Sequence, residues 1–239
     1  MKVASGRLPG KGTFARGVHP AGRKSYAADA AIEVLPTPES VAIPLLQHTG
    51  KAAEPVVKPR QEVALGELLG KPTGFISAAV HASVAGAAQA PSVATLPNAR
   101  HVTTIGVKAG EQELSGDALK ADHFGGDWPR DALDGYEPQR IRDAVADAGV
   151  VGLGGAAFPT HVKLTPGEND IDTLLINGCE CEPYLAADYR LMLEHPAPVV
   201  AGALLAARAC GAERVVAAIE DNKPRAVDAL RRAARGTGV

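Results

Sequence analysis

Two short stretches of this chain hold the residue types from which an anion-and-ring site is built. They are Gly152-Leu-Gly-Gly-Ala-Ala-Phe-Pro-Thr-His-Val-Lys163 and Asn177-Gly-Cys-Glu-Cys-Glu-Pro183. In the first, Gly152, Gly154 and Gly155 leave the backbone bare, so successive N–H groups can nest around a phosphate. Lys163 would neutralise that phosphate, and a helix opening just after the loop would add the positive end of its dipole. In the second, a chain that stays extended past Gly178 would put Glu180 and Glu182 on one face and Cys179 and Cys181 on the other. Two such carboxylates repel unless cations or ligand donors lie between them. With Asn177 they suit hydrogen bonding to ribityl or ribose hydroxyls and to ring N–H groups.

Each half also has an ordinary structural reading. Gly149 and Gly152 suit a helix C-cap and a tight turn, and the acidic stretch suits a solvated turn closed by Pro183. Gly152, Gly154 and Ala157 fit the loose dinucleotide fingerprint, but that fingerprint needs a strand before it. Here Pro138 to Gly149 reads as an amphipathic helix with Ile141, Val145 and Ala148 on one side, and Phe158-Pro159 interrupts the first helical turn. A standard Rossmann dinucleotide turn is therefore rejected, and a phosphate loop of another design stays open. No metal site is expected. The chain has three cysteines, Cys179, Cys181 and Cys210, whereas zinc and iron–sulfur sites normally take four ligands. Sparse cysteine also fits a reduced, intracellular setting better than a disulfide framework.

The elements that must position these stretches follow from periodicity. Residues 171–177 are a short apolar, β-rich run and read as a buried strand, at whose end ligands collect in open α/β sheets. Helices are expected over 139–148, 160–164, 186–194, 197–209 and 223–235, the last opening at Asn222 as N-cap with Pro224 in its first turn. A second strand is expected over 213–219. Alternating helix and strand predicts a parallel α/β sheet. Residues 30–112 differ in style, with short β-like runs in two quasi-repeated strand–turn units that predict a small sandwich, one that resembles the biotinyl/lipoyl-like, barrel-sandwich hybrid type. Its stretch Ala78-Ala-Val-His-Ala-Ser83 has no lysine to modify, so neither biotin nor lipoate is expected. His48 and His81 read as packed or hydrogen-bonded side chains. Residues 1–29 read as a flexible N-terminal arm. Residues 113–137 read as a polar linker that Trp128 pins down, and residues 138–239 as the α/β domain.

With these motifs the chain resembles the RnfC-type component of Rnf/Rsx-type ion-translocating ferredoxin:NAD+ oxidoreductases, related to the flavin- and NADH-binding subunit of respiratory complex I. Further matching stretches are Gly17-Val-His-Pro20, Ile43-Pro-Leu-Leu-Gln-His48, Ala53-Glu-Pro-Val-Val-Lys58, Val80-His-Ala-Ser-Val-Ala-Gly86 and Ala187-Asp-Tyr-Arg-Leu-Met192. The resemblance implies a Rossmann-like parallel α/β flavin-binding domain, truncated here, that holds FMN and exchanges electrons with NAD(H). It implies onward transfer through two 4Fe–4S clusters. Gly152, Gly154, Gly155 and Lys163 would hold the flavin phosphate and ribityl region. Asn177, Glu180 and Glu182 would line the flavin and nicotinamide pocket, with Glu182 orienting and tuning at the reacting ring. The implied partners are the other subunits of the complex and, indirectly, ferredoxin or quinone-side redox partners, at the cytoplasmic face of a bacterial inner membrane.

The chain departs from the family pattern in three ways. Ala157 stands for the usual glycine, and Cys179 for the usual alanine. The family's cysteine-rich cluster motifs lie beyond Val239, so the chain is expected to be a fragment, a truncated product or half of a split subunit. A truncated, cofactor-free scaffold or assembly piece is therefore the alternative to an NAD(H)-linked oxidoreductase. Composition excludes other classes. A net charge of −2 and 4% aromatic residues offer neither the basic surface nor the stacking rings of a nucleic-acid binder. No apolar run reaches the length of a membrane span, and the basic start lacks the apolar core of a signal peptide.

Overall fold

The computed structural model describes residues 20–128 and 133–239. The first module is built of short antiparallel strands. β1 (Ser40–Pro44) and the long β8 (His101–Ala109) pair in register, Ile43 opposite Ile105. On its other edge β8 takes β6 (Gly86–Ala88) and β7 (Ser92–Thr95) one after the other, and β6 pairs with β3 (Glu62–Val63). A second sheet runs β2 (Glu54–Pro55), β4 (Leu68–Lys71), β5 (Val80–His81). Both sheets turn apolar side chains inward: Ile43, Leu45, Leu69, Val80, Ile105 and Val107 form one core. Gly70 lies in that core because a Cβ there would meet Leu45 Cδ2 at 2.8 Å and Ala53 Cβ at 3.0 Å.

The stretch 78–83, which has no lysine to modify, is mostly core, with Ala78, Ala79, Val80 and Ala82 all buried. His48 is packed beside it, its Nε2 2.9 Å from the Lys51 carbonyl and 3.1 Å from the Ala78 N–H.

The segment read as a linker contains a helix, α1 (Gly116–Phe124), with no buried side chain of its own. Tertiary contacts hold it. Phe124 stacks on His195 with centroids 4.1 Å apart, and Lys120 reaches Glu194 and the Ile32 carbonyl. Trp128 donates from Nε1 to the Phe124 carbonyl. Residues 129–132 lie outside the described part.

The second module opens with α2 (Pro138–Asp147), which buries Ile141 as its period predicts. A Schellman cap ends it. Gly149 N–H donates to the Ala146 carbonyl and Val150 N–H to the Val145 carbonyl, with Gly149 at φ 65°. Then come α3 (Thr160–Lys163), β9 (Thr173–Gly178), α4 (Ala187–Glu194), α5 (Pro196–Cys210), β10 (Arg214–Ile219) and α6 (Pro224–Ala233). The last helix has Lys223, not Asn222, at its N-cap position, and no side chain caps it. Its buried residues Ala226, Ala229, Leu230 and Ala233 recur at helical spacing.

β9 and β10 pair in parallel along their whole length. Leu174, Ile176 and Val215 are packed with Ala203 and Ala207 of α5. The opposite face carries Leu175 and Val216, register partners that are 61% and 39% exposed. The observed parallel sheet thus has two strands. Among the described residues no helix is long and apolar enough to cross a membrane.

Of the arm read over 1–29, residues 1–19 lie outside the described part. From residue 20 on, the arm is fastened to the second module. Arg190 binds the Ala28 carbonyl, and just beyond the arm Ile32 N–H donates to the Glu194 carboxylate.

Candidate functional site

The glycine loop is a closed excursion with its own neck. Val151 bridges Pro159, Thr160 N–H donates to the Val150 carbonyl, and Gly152 N–H donates to the Phe158 carbonyl at 2.9 Å. The Gly152 amide is therefore spent inside the loop. Its missing side chain matters in another way, because a Cβ there would stand 2.8 Å from Lys163 Nζ. The lysine, in the last turn of α3, lies over the bare backbone of Gly152. Gly154 and Gly155 have nothing within 4 Å of where a Cβ would be, and both are exposed. Among the described residues neither amide has a protein partner and Lys163 has no ion pair. The loop thus offers open N–H groups and an unpaired ammonium on one small surface, the requirements of an anion nest.

The first module supports this loop. Thr49 donates its N–H to the Ala157 carbonyl at 3.0 Å and its Oγ1 to the Ala156 carbonyl at 2.5 Å. His161 of α3 lies 3.2 Å from the Phe75 carbonyl. Ala157 takes φ 47°, a conformation that costs an L-residue about 1–2 kcal/mol. A glycine would sit there without strain, so Ala157→Gly is expected to stabilise the chain by up to about 1 kcal/mol after its greater unfolded-state entropy is deducted. A urea midpoint that falls instead would rule this out.

The acidic stretch does not remain extended. β9 ends at Gly178, where a Cβ would meet Met192 Sδ at 3.0 Å and the Ala218 carbonyl at 3.1 Å. The expected alternation fails: Glu180 is 3% exposed, while Cys179, Cys181 and Glu182 all face solvent. Cations cause the inversion. Lys223 Nζ lies 3.3 Å from Glu180 Oε2 and 2.8 Å from Glu220 Oε2, and Lys24 Nζ lies 3.9 Å from Glu180 Oε2. Glu180 Oε1 also accepts the Asp188 N–H at the start of α4. Asn177 is exposed and its Oδ1 accepts the Cys179 N–H, turning the chain as it leaves the strand.

The charges respond to this packing. Burial alone would depress the Lys223 ammonium, but its hydrogen bonds to Glu220 and Glu180 outweigh that and hold it above the usual lysine range. The hydrogen bond from Lys223 holds Glu220 below the usual carboxylate range. Partial burial, then the Glu180 and Glu182 charges, raise Asp188 against the pull of Lys223 and Lys24.

Gly152 and Lys163 are thus brought together, with Gly154 and Gly155 open in the same loop. Glu182 and Asn177 stand on the surface of the acidic turn, and Glu180 is drawn beneath it. Sequence reasoning missed Thr49, Lys24, Glu220 and Lys223. The Glu220–Lys223 spacing at a helix start was a usable signal; Thr49 and Lys24 lie too far along the chain to give one. Among the described residues no three His, Cys, Asp or Glu side chains converge to hold a metal ion.

Comparison with known proteins covers both modules. Residues 12–112 match the RnfC barrel sandwich hybrid domain, and residues 145–238 match the Nuo51 FMN-binding domain. The chain is 38% identical over 220 residues to the C component of the Na(+)-translocating ferredoxin:NAD(+) oxidoreductase complex of Acetobacterium woodii, covering 92% of this chain and 48% of that protein. It is 36% identical over 231 residues to the C component of the proton-translocating ferredoxin:NAD(+) oxidoreductase complex of Clostridium ljungdahlii, covering 95% and 48%. The chain spans about half the length of these curated relatives. A chain from the crystal structure of an NAD+-reducing NiFe hydrogenase in the air-oxidized state is 31% identical over 47% of this chain and 23% of that one, with a TM-score of 0.38.

Proposed function

This chain belongs to the RnfC family of ion-translocating oxidoreductase components, and we propose that it is the flavin-binding, electron-transferring part of such a complex. In this reading residues 30–112 dock and residues 138–239 bind FMN, within a Rossmann-like parallel sheet of which β9 and β10 are two strands. The carrying observation is the pairing of bare backbone at Gly152, Gly154 and Gly155 with the unpaired Lys163 ammonium. A flavin phosphate fits this surface: its charge is met by Lys163 and its oxygens by the open loop amides.

Glu182 and Asn177 would face the isoalloxazine and nicotinamide side, binding and orienting the rings through hydrogen bonds. Glu182 would be the residue next to the reacting ring. Glu180 would act from beneath, holding the turn with Lys223 and Lys24. FMN, when bound, supplies the step between two-electron exchange with NAD(H) and one-electron transfer to 4Fe–4S clusters. Those clusters would lie in protein outside these 239 residues. The remaining subunits of the complex would hold the chain at the cytoplasmic face of the membrane as a peripheral component. Relatives of similar identity are named for sodium and for protons, so what this chain shares with both does not select the ion.

Lys163→Ala is expected to weaken FMN binding about 10–100-fold, the scale of a charge-assisted hydrogen bond, while leaving riboflavin binding unchanged. Glu182→Lys should weaken both flavins. Flavin fluorescence titration of the 239-residue chain reads both. Unchanged affinity in both variants rejects the reading. One observation favours a cofactor-free scaffold instead: Glu180 is already neutralised inside the protein. Failure of the wild-type chain to bind either flavin would select that alternative.

A further inference from the structure

Lys24 comes from the segment ahead of the first module, yet its ammonium closes the acidic turn of the second. Nζ donates to the Glu180 carbonyl at 2.6 Å and to the Leu185 carbonyl at 2.7 Å, and lies 3.9 Å from the Glu180 carboxylate. One cation thus ties both ends of the six-residue segment 180–185, with Glu182 at its crown. Neighbouring residues of the arm repeat the grip. Tyr184 N–H donates to the Gly22 carbonyl at 2.7 Å, and the rings of Tyr26 and Tyr184 stack with centroids 5.9 Å apart. Tyr184 is held at φ 69°, a conformation a bulky residue keeps only where its surroundings impose it.

From this geometry we infer that Lys24 is a positioning residue for the flavin-facing turn: it fixes the turn that presents Glu182 without itself touching the ligand. Carbonyl oxygens at both ends of a turn repel one another when they point at the same place. A shared ammonium removes that repulsion and selects one turn shape. The arm is then part of the site. Its role differs from that of Lys163, which would meet the phosphate, whereas Lys24 acts through the turn on the ring side alone. The inference rests on the flavin reading of the acidic turn.

The test compares wild type, Lys24→Met and Lys24→Arg. Methionine keeps the aliphatic stem and removes the charge; arginine keeps the charge. Amide hydrogen exchange over 181–186 is expected to rise about tenfold or more in Lys24→Met, the scale of losing a charge-assisted bond. Exchange in β8 should stay unchanged, which verifies the fold, and Lys24→Arg should restore most of the protection. FMN and riboflavin should both bind about tenfold or more weakly to Lys24→Met, by the same factor. That pattern separates it from Lys163→Ala, which affects FMN alone. Unchanged exchange over 181–186 overturns the inference. So does raised exchange with unchanged riboflavin affinity, in which case the wild-type flavin reading survives. A wild-type chain that binds neither flavin removes the flavin reading, and this inference with it.

Discussion

Replacing Lys223 by methionine is expected to lower the unfolding free energy by about 3 kcal/mol at neutral pH, the low end of the cost of removing one partner from a buried ion pair. Lys223 is 8% exposed, and it is the nearest cation to Glu180 at 3.3 Å and to Glu220 at 2.8 Å. Methionine fills similar space, so the loss is electrostatic rather than steric. The partial cover that Lys24 gives Glu180, with its ammonium 3.9 Å away, keeps the effect near that lower bound.

The pH dependence of the Lys223–Glu220 pair follows from its two shifted partners, whereas Asp188, raised by burial and its acidic neighbours, opposes folding as it ionises in the acid range. Glu220 is depressed in the folded chain, so its contribution is present above the unfolded carboxylate value and is lost as pH falls through the folded one. Lys223 is raised, so its contribution is full below the unfolded lysine value and is lost as pH rises through the folded one. Wild-type stability should therefore be flat with respect to the Lys223–Glu220 pair from about pH 6 to about pH 9, given reference values near 4.3 and 10.4. Urea denaturation at several pH values checks both claims. The gap between wild type and Lys223→Met should be widest on that plateau and narrow towards pH 4. A gap that does not vary with pH would mean the cluster does not act through charge.

Gly149→Ala is expected to cost about 3 kcal/mol, through two additive effects. Gly149 takes φ 65° at the end of α2, which penalises an L-residue by about 1–2 kcal/mol. A Cβ there would also stand 2.2 Å from the Ala79 carbonyl oxygen. That oxygen belongs to the backbone of the first module and cannot swing aside like a side-chain tip, so the usual overpacking cost of about 1–3 kcal/mol applies. Because the clash spans the two modules, the substitution should also reduce exchange protection at Thr49 N–H, which anchors the glycine loop through the Ala157 carbonyl. Gly154→Ala is the control. That position has open space and should change stability by less than about 0.5 kcal/mol. Equal effects at 149 and 154 would show that the module junction is not fixed by this contact.

What was legible in the chain was mostly local. The 3.6-residue period with proline near helix starts located α2, α5 and α6 to within two residues at either end, and the apolar runs located β9 and β10. The barrel-sandwich hybrid and the FMN-binding type of the second module were also legible, because several separated motifs matched one family in order. What escaped depended on distant partners. α1 buries no side chain of its own and is held by the Phe124–His195 stack together with the contacts of Lys120 to Glu194 and the Ile32 carbonyl. The inward turn of Glu180 could not be read from alternation, because Lys24 and Lys223 determine it from 156 and 43 residues away. Ala157 hid its strain, since only the backbone shows that its position asks for glycine.

The exposed register pair Leu175–Val216 bears on how the molecule behaves in a test tube. Parallel strands normally have both faces shielded, and here one side presents an aliphatic stripe to water. That stripe is the natural point of self-adhesion at high concentration. The isolated polypeptide is therefore expected to self-associate at high concentration through these two side chains of its two-stranded sheet.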